Sequence, residues 1–240
     1  MPDGCKINHT KDSLYEINKI RKLLEFLACR LKKVYYLQLE AAINAFLKEG
    51  LMKKSEPASF ISSYLDELVE AHVNFPIDSV IKLSSLIRGM HETGMLYTIG
   101  NGGSASTASH MATDLGVGSL RRKNPVRCIS LVDNPAVLTA TSNDLDFSKI
   151  FSQQIKLLGK NGDLLICFSA SGNSRNLLEA VEVAKNIGII TVGITGFDGG
   201  SLKDVCDLSV HTPTRLGSYG VVEDLHSSVS HILTEMIRNS

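Results

Sequence analysis

The chain has 240 residues, of which 43% are hydrophobic and 21% charged, as in ordinary globular proteins with one large domain or a domain plus an appendage. Its formal net charge of +0 gives no electrostatic reason to expect a nucleic-acid or membrane-surface partner. No apolar run approaches the ~20 residues of a membrane span. The five cysteines are odd in number and include no CxxC pair, which predicts reduced thiols and a cytoplasmic location.

Residues 1–55 differ in charge from the rest of the chain, with 11 Lys and Arg against 6 Asp and Glu. Their apolar residues recur every three or four positions, which predicts one long helix or two shorter ones. Gly50 and the following "KKSEPAS" are signals for its end. We therefore expect a helical N-terminal extension, residues 1–55, that packs on its own domain or on another subunit. A basic arm for a partner or an acidic ligand is the alternative.

A second domain is predicted over 56–240, where short apolar runs alternate with helical patterns. The predicted strands are 95–100, 126–132, 163–169, 189–195 and 207–212. The predicted helices are 59–73, 77–92, 103–117, 145–159, 174–187 and 219–238. Apolar strands that alternate with helices are typical of a parallel sheet covered on both faces. In such α/β sheets, ligands bind beyond the carboxyl ends of the strands.

Two of the predicted strands end in turns of small residues that open helices. The first is "GNGGS" (Gly100–Ser104), which includes Asn101 and Gly102, and the second is "SASGNS" (Ser169–Ser174). A helix N-terminus attracts phosphate through its free N–H groups and its partial positive charge, and glycines let the backbone approach closely. The pair therefore predicts a phosphorylated ligand. A third turn, "TGFDGG" (195–200), is interpreted as a plain turn.

Imidazole and carboxylate groups are spaced along two of the predicted helices. His110 and Asp114 are four residues apart and share a helix face. Glu223 and His231 on the last helix are eight residues and some 80° apart, so they can face the same way. His226 points about 140° away from His231 and is interpreted as structural. Side chains of these types bind divalent metals or move protons near neutral pH.

These segments resemble a known family. The strings "GNGGSASTASHMATDL", "DNPAVLTATSND", "DLLICFSASGNSRNLLEAVEVAKNIGIITVGITGFDGG" and "EDLHSSVSHIL" look like the SIS (sugar isomerase) domain and most closely like the phosphoheptose isomerases. The resemblance covers residues 59–238. It implies a flavodoxin-like three-layer sandwich with a five-stranded parallel sheet. It also implies a homotetramer with active sites at subunit interfaces.

The resemblance further implies an activity and a set of site residues. The activity is isomerisation of sedoheptulose 7-phosphate to D-glycero-manno-heptose 7-phosphate. An aspartate after a strand, here Asp133, contacts sugar hydroxyls. Serines of the two turns hold the sugar phosphate, and the implied zinc ion, one per subunit, has four ligands. The serines are Ser104, Ser169, Ser171 and Ser174, and the zinc ligands are His110, Asp114, Glu223 and His231.

The sequence departs from the family pattern at four positions, two of them among these site residues. The acid of the first helix, usually a glutamate and the catalytic base, is here the shorter Asp114. The usual glutamine of the last helix is here Glu223, which can reach the metal or serve as base where Asp114 falls short. A threonine of the serine loop is replaced by Ala170, and an aspartate by Gly220.

The most consistent function is therefore a sugar-phosphate isomerase that works through a cis-enediol. Asp114 or Glu223 removes the proton beside the carbonyl, and His231 serves as general acid. Two alternatives stay open. The first is isomerisation of another sugar phosphate in a specialised pathway, and the second is a non-catalytic phosphosugar-binding regulator or assembly protein.

Overall fold

The computed structural model describes residues 56–239, so the predicted extension at 1–55 lies outside the described residues. The strands are β1 (Leu96–Gly100), β2 (Cys128–Ser130), β3 (Leu164–Ser169), β4 (Ile190–Thr195) and β5 (Leu208–His211). The helices are α1 (Glu56–Val73), α2 (Ile77–Gly89), α3 (Gly103–Gly118), α4 (Pro135–Asp144), α5 (Ser152–Leu158), α6 (Arg175–Ile187), α7 (Gly200–Val205) and α8 (Tyr219–Arg238), with a short 3-10 turn at Phe147–Lys149.

The five strands form one sheet in the order β2-β1-β3-β4-β5, and every neighbouring pair is parallel. In the register of the central pair, Leu96 lies opposite Leu164 and Gly100 opposite Phe168. This is the flavodoxin-like order, in which the chain reverses its direction of winding between β1 and β3. The predicted α/β fold with a five-stranded parallel sheet is therefore confirmed.

The sheet separates two hydrophobic cores, because successive side chains of a strand point to opposite faces. Along β3, Leu164, Ile166 and Phe168 pack on one face with α2, α3 and α8. Leu165 and Cys167 pack on the other face with α5, α6 and α7. All six residues of β3 are buried. The domain is thus a three-layer sandwich, and α3 and α6 lie on opposite sides of the sheet.

Helix α4 was not predicted from apolar periodicity, and the structure explains why. None of its residues is buried, so it carries no apolar stripe. It starts on capping signals instead: Asn134 accepts a hydrogen bond from the N–H of Val137, and Pro135 occupies the first turn. The dipeptide "NP" was the signal that could have found it.

Three other boundaries differ from the predictions. The helix expected at 145–159 is broken, since Asp146 caps a short turn while Ile150 and Phe151 point into the core. Strand β2 is shorter than 126–132 because it is an edge strand that pairs with only three residues of β1. The turn at 195–200 is followed by α7, which is anchored by the fully buried Leu202.

Helix α1 packs one face against α8 and exposes the other. Tyr64, Leu68 and Ala71 contact Val221 and Leu225 on the packed face. The outward face carries a row of exposed apolar side chains, namely Ile61, Leu65, Val69 and Val73. Within residues 56–239, no helix combines the length and the apolarity that a membrane crossing requires.

Candidate active site

Both predicted anion-binding turns lie at the carboxyl edge of the sheet, where β1 and β3 end side by side. Helix α3 leaves β1 toward one face of the sheet and α6 leaves β3 toward the other. The two N-termini therefore flank the point where the winding reverses, which is where open α/β sheets bind ligands.

Glycine is favoured at two positions of the first turn. Gly102 has φ +55°, a left-handed conformation that glycine adopts without strain. A Cβ on Gly103 would overlap the carboxylate of Glu223 on α8. Ser104 follows in the first turn of α3, and its side chain is buried.

The serine loop presents hydroxyl groups at the start of α6. Ser169 Oγ accepts the N–H of Gly172 at 3.0 Å, and Ser171 Oγ accepts the N–H of Asn173 at 3.3 Å. Because these oxygens act as acceptors, their own O–H groups can still donate to a ligand. Ser174 is the N-cap residue of α6, yet its side chain makes no capping hydrogen bond. The loop is therefore suited to donate several hydrogen bonds to one anion.

A pair of asparagines joins the two turns. Asn101 Nδ2 donates to Asn176 Oδ1 at 2.9 Å, and Asn176 Nδ2 donates to Asn101 Oδ1 at 2.8 Å. Asn176 is buried. Asn101 was predicted to bind substrate through the first turn, but its amide is engaged with this partner and fixes the start of α3 to the start of α6.

The structure brings together three of the four predicted metal ligands. One ligand atom from each of His110, Asp114 and His231 lies within 4.8 Å of the other two. His110 Nε2 is 3.2 Å from Asp114 Oδ2, and the rings of His110 and His231 meet edge to face with centroids 5.0 Å apart. The two histidines are exposed and the aspartate is half-buried. We call these three residues the histidine cluster.

Glu223 occupies a different position from the histidine cluster. Its half-buried carboxylate packs on Gly103, whereas His110 lies seven residues, or ~10 Å, further along α3. Among residues 56–239, this carboxylate makes no hydrogen bond or ion pair. The partial positive charge of the α3 N-terminus favours a carboxylate there.

Two further residues singled out in the sequence, Asp133 and Ala170, each contact neighbouring side chains. Asp133 is exposed and accepts a hydrogen bond from the hydroxyl of Ser109, next to His110 on α3. Ala170 packs its methyl group against Phe197 and Val222 in a small apolar cluster. The threonine usual in the family would place a hydroxyl in this apolar setting.

Tyr64 fills the space beside Gly220. A Cβ on Gly220 would come within 3.0 Å of the Tyr64 hydroxyl. That hydroxyl donates to Asp224 Oδ2 at 2.6 Å. The hydrogen bond to Asp224, together with burial and the nearby carboxylates, raises the pKa of Tyr64 to about 12. Tyr64 therefore stays protonated and ties α1 to the second turn of α8.

His226 lies in the core, as the sequence interpretation expected of a structural residue. It is buried, and its ring packs on Phe168 with centroids 5.8 Å apart. Burial lowers its pKa to about 4, an effect only partly offset by the backbone of Thr195.

Fold and site together define a doubly wound α/β protein with a site suited to an anionic ligand and to proton transfer. The sequence model of the SIS domain matches residues 61–196, more than half of the chain, so the chain belongs to the SIS domain family. This confirms the resemblance seen in the motifs.

Comparison with named proteins shows which members of the SIS domain family this chain is similar to. A probable phosphoheptose isomerase of Thermoplasma acidophilum is 35% identical, over 72% of this chain and 95% of its own length. A phosphoheptose isomerase of Rhodospirillum rubrum is 37% identical over 61% of this chain and 77% of its own. The structure of phosphoheptose isomerase from Neisseria gonorrhoeae superposes with a TM-score of 0.68 at 26% identity, covering 76% of this chain and 97% of that one.

Sequence reasoning missed three residues that shape the site: Asn176, Ser109 and Tyr64. Each acts through a partner that is distant in sequence, namely Asn101, Asp133 and Asp224. No local pattern could have identified them, since the pairs form only when strands and helices pack.

Proposed function

We propose that the chain is an aldose–ketose isomerase that converts sedoheptulose 7-phosphate to D-glycero-manno-heptose 7-phosphate through a cis-enediol. One observation carries this proposal: His110 and Asp114 of the histidine cluster lie on α3, whose N-terminus is joined to the serine loop by the Asn101–Asn176 pair. The anion donors of the serine loop and the histidine cluster are thus parts of one site. The relatives named phosphoheptose isomerases support the same activity.

The phosphate binds at the serine loop rather than at the first turn. The carboxylate of Glu223 already occupies the α3 N-terminus, where it would repel a phosphate dianion. The α6 N-terminus carries no such carboxylate and offers the hydroxyls of Ser169, Ser171 and Ser174. Anchoring the phosphate there fixes the reacting carbons, while Ser104 and Asp133 are left to contact sugar hydroxyls.

The histidine cluster fits zinc. Two imidazoles and one carboxylate are a common donor set for a catalytic zinc with an open position. The 3.2 Å between His110 Nε2 and Asp114 Oδ2 is close to the ~3.4 Å edge of a tetrahedral site. When bound, zinc would supply Lewis-acid polarisation of the substrate oxygens. His110, Asp114 and His231 would hold it.

Glu223 is the catalytic base in this proposal. The carboxylate of Asp114 is engaged with His110, whereas that of Glu223 has no partner among the described residues. Glu223 removes a proton from C1 of the ketose, the electron pair of the C–H bond forms the C1–C2 double bond, and the carbonyl electron pair moves to O2. A proton then passes from O1 to O2 within the cis-enediol. The same carboxylate returns its proton to C2 on the same face while the electron pair on O1 forms the aldehyde carbonyl, which yields the aldose. Because O2 takes up the proton that O1 gives up, no separate acid is needed, and His231 stays available as a metal ligand.

We further propose that the active enzyme is a cytoplasmic homotetramer. The histidine cluster is open to solvent in a single chain, with 52% of the His110 side chain accessible. Enediol chemistry benefits when water is excluded, and a second copy could cover the cluster. The exposed apolar row on α1 offers a surface for such contacts.

The test separates the base from the metal ligands. Purified full-length protein is assayed for turnover of sedoheptulose 7-phosphate, and its zinc content is measured by mass spectrometry. Glu223→Gln should lower kcat by about 100-fold or more and leave the zinc content unchanged. Asp114→Asn should lower both kcat and the zinc content. The control Glu235→Gln, on an exposed part of α8, should change neither.

Other outcomes would contradict the proposal. Normal turnover in Glu223→Gln would exclude it as base. Turnover of other ketose phosphates but not of the heptulose would favour an isomerase of a specialised pathway. Absence of both turnover and zinc would favour a non-catalytic phosphosugar-binding protein.

A further inference from the structure

A polar cavity lies at the edge of the sheet opposite the candidate active site, at the amino ends of β1 and β2. Its volume is about 70 Å³. It is enclosed by the end of α2, residues 90–94 and residues 122–127. The length of β1 separates it from the serine loop, so it is not part of the crevice where substrate is expected to bind.

Three arginines from separate segments converge on this cavity: Arg88, Arg122 and Arg127. None of them forms an ion pair with a carboxylate among residues 56–239. By contrast, the remaining described arginines outside the adjoining segment are each paired with a glutamate, namely Arg175 with Glu179, Arg215 with Glu67 and Arg238 with Glu235. We call the cavity the arginine pocket.

This concentration of positive charge does not follow from composition. Over residues 56–240, acidic side chains outnumber basic ones by five. Nevertheless Arg121 and Lys123 also lie beside the pocket in sequence, and the single carboxylate that lines it is that of Glu92. The lining therefore carries three arginines against one carboxylate and keeps a net positive charge.

Further hydrogen-bond donors of the pocket are already oriented. Nδ1 of His91 lies 2.8 Å from Thr93 Oγ1 and 3.2 Å from the backbone N of Thr93, and these two contacts fix the orientation of the ring. Arg127 Nη1 donates to the carbonyl of Thr93 at 3.1 Å, which holds the guanidinium in place, and within residues 56–239 its other N–H groups have no hydrogen-bond partner.

We propose that the arginine pocket binds a phosphoryl dianion, either free phosphate or the phosphate of a small ester, independently of the substrate site. Planar guanidinium groups match the oxygens of phosphate and form charge-assisted hydrogen bonds to it. The small volume suits a single phosphoryl group. This proposal does not depend on the isomerase activity.

The experiment is equilibrium dialysis of radiolabelled inorganic phosphate at constant ionic strength. It uses the full chain with Ser171→Ala and Ser174→Ala, which weakens binding at the serine loop. The protein with these two substitutions should still bind phosphate at one class of site. Adding Arg88→Gln and Arg122→Gln should weaken that site by at least about tenfold, as expected for lost charge-assisted hydrogen bonds. Arg238→Gln, the matched control, should leave it unchanged.

Unlabelled methyl phosphate distinguishes the two ligand sources. If it displaces the labelled phosphate, the pocket is assigned to phosphate esters. If it does not, the pocket is assigned to free phosphate. The proposal is overturned if the protein with only the two serine substitutions binds no phosphate or if the two arginine substitutions leave its affinity unchanged. It is also overturned if a labelled single-stranded oligonucleotide binds more tightly than phosphate and loses its affinity in the same variant. Circular dichroism of each variant establishes that it is folded.

Discussion

At the scale of single residues, His226 shows how position on a helix decides the role of a histidine. It lies five residues before His231 on α8, yet its ring is buried between the helix and β3, while His231 is exposed beside His110. Neither of its nitrogens has a well-formed hydrogen bond among the described residues, and nor do the buried hydroxyls of Ser230 and Thr234 on the same side of α8. Burial without partners disfavours the charged form.

This predicts an acid-dependent loss of stability. The folded pKa of His226, about 4, lies below the ordinary value of 6.5. The unfolded chain therefore takes up a proton that the folded chain does not, and stability falls as the pH decreases between these values. Between about pH 7 and about pH 4.5, wild type should lose about 2–3 kcal/mol more than His226→Leu.

Urea unfolding followed by circular dichroism measures this difference. The exposed His72 supplies the control, since His72→Gln should lose as much stability as wild type over the same interval. An equal loss in wild type and His226→Leu would contradict the burial argument.

At the scale of elements, the parallel packing of α3 and α8 builds the site. Gly103 faces Glu223 near the start of both helices, His110 faces His231 further along, and Gly118 faces Thr234 near the end. The close approach at Gly103 is possible because it has no side chain. The two helices therefore set both the position of the carboxylate and the pairing of the two rings.

Gly103→Ala should consequently displace the carboxylate of Glu223. We expect kcat to fall by about tenfold or more, because a base moved by an ångström loses its alignment with the substrate. Zinc content should be retained, since the histidine cluster lies two turns away. The measurements are steady-state kinetics with sedoheptulose 7-phosphate and metal analysis.

The same helix provides a control for this prediction. A Cβ on Gly116 would meet nothing within 4 Å, so Gly116→Ala should keep full activity and gain up to about 1 kcal/mol of stability from better helix propensity. Unchanged kcat in Gly103→Ala would show that the position of Glu223 is not critical.

At the scale of the whole molecule, the outward face of α1 exposes apolar side chains that a single chain does not cover. Ile61 is 59% exposed and Leu65 is 52% exposed, and Val69 and Val73 extend the row. A contiguous apolar surface of this kind marks an interaction site more often than a solvated one. We therefore expect it to be covered in the proposed tetramer.

Leu65→Asp together with Val69→Asp should shift the protein from a tetramer to smaller species, because buried charges oppose association. Light scattering coupled to gel filtration measures the mass. Leu157→Asp, at an 84% exposed position on α5, is the control and should remain tetrameric. A tetramer that survives the α1 substitutions would exclude this face as the interface.

The sequence by itself determined the fold and the parts of the site that are local. Apolar strands alternating with helices predicted the parallel sheet, and the glycines and serines at two strand ends predicted the anion-binding turns. The four-residue spacing of His110 and Asp114 placed them on one face. Each of these signals is carried by neighbours in the chain, so local backbone geometry is enough to interpret it.

Only the tertiary structure decided which groups meet. Periodicity placed Glu223 and His231 on one side of α8 but could not say which part of α3 each would face. Packing brought His231 to His110 and carried Glu223 to Gly103, ~10 Å away along the helix. The physical reason is that helix periodicity fixes an angle about one axis, whereas the approach of two helices depends on the side chains between them.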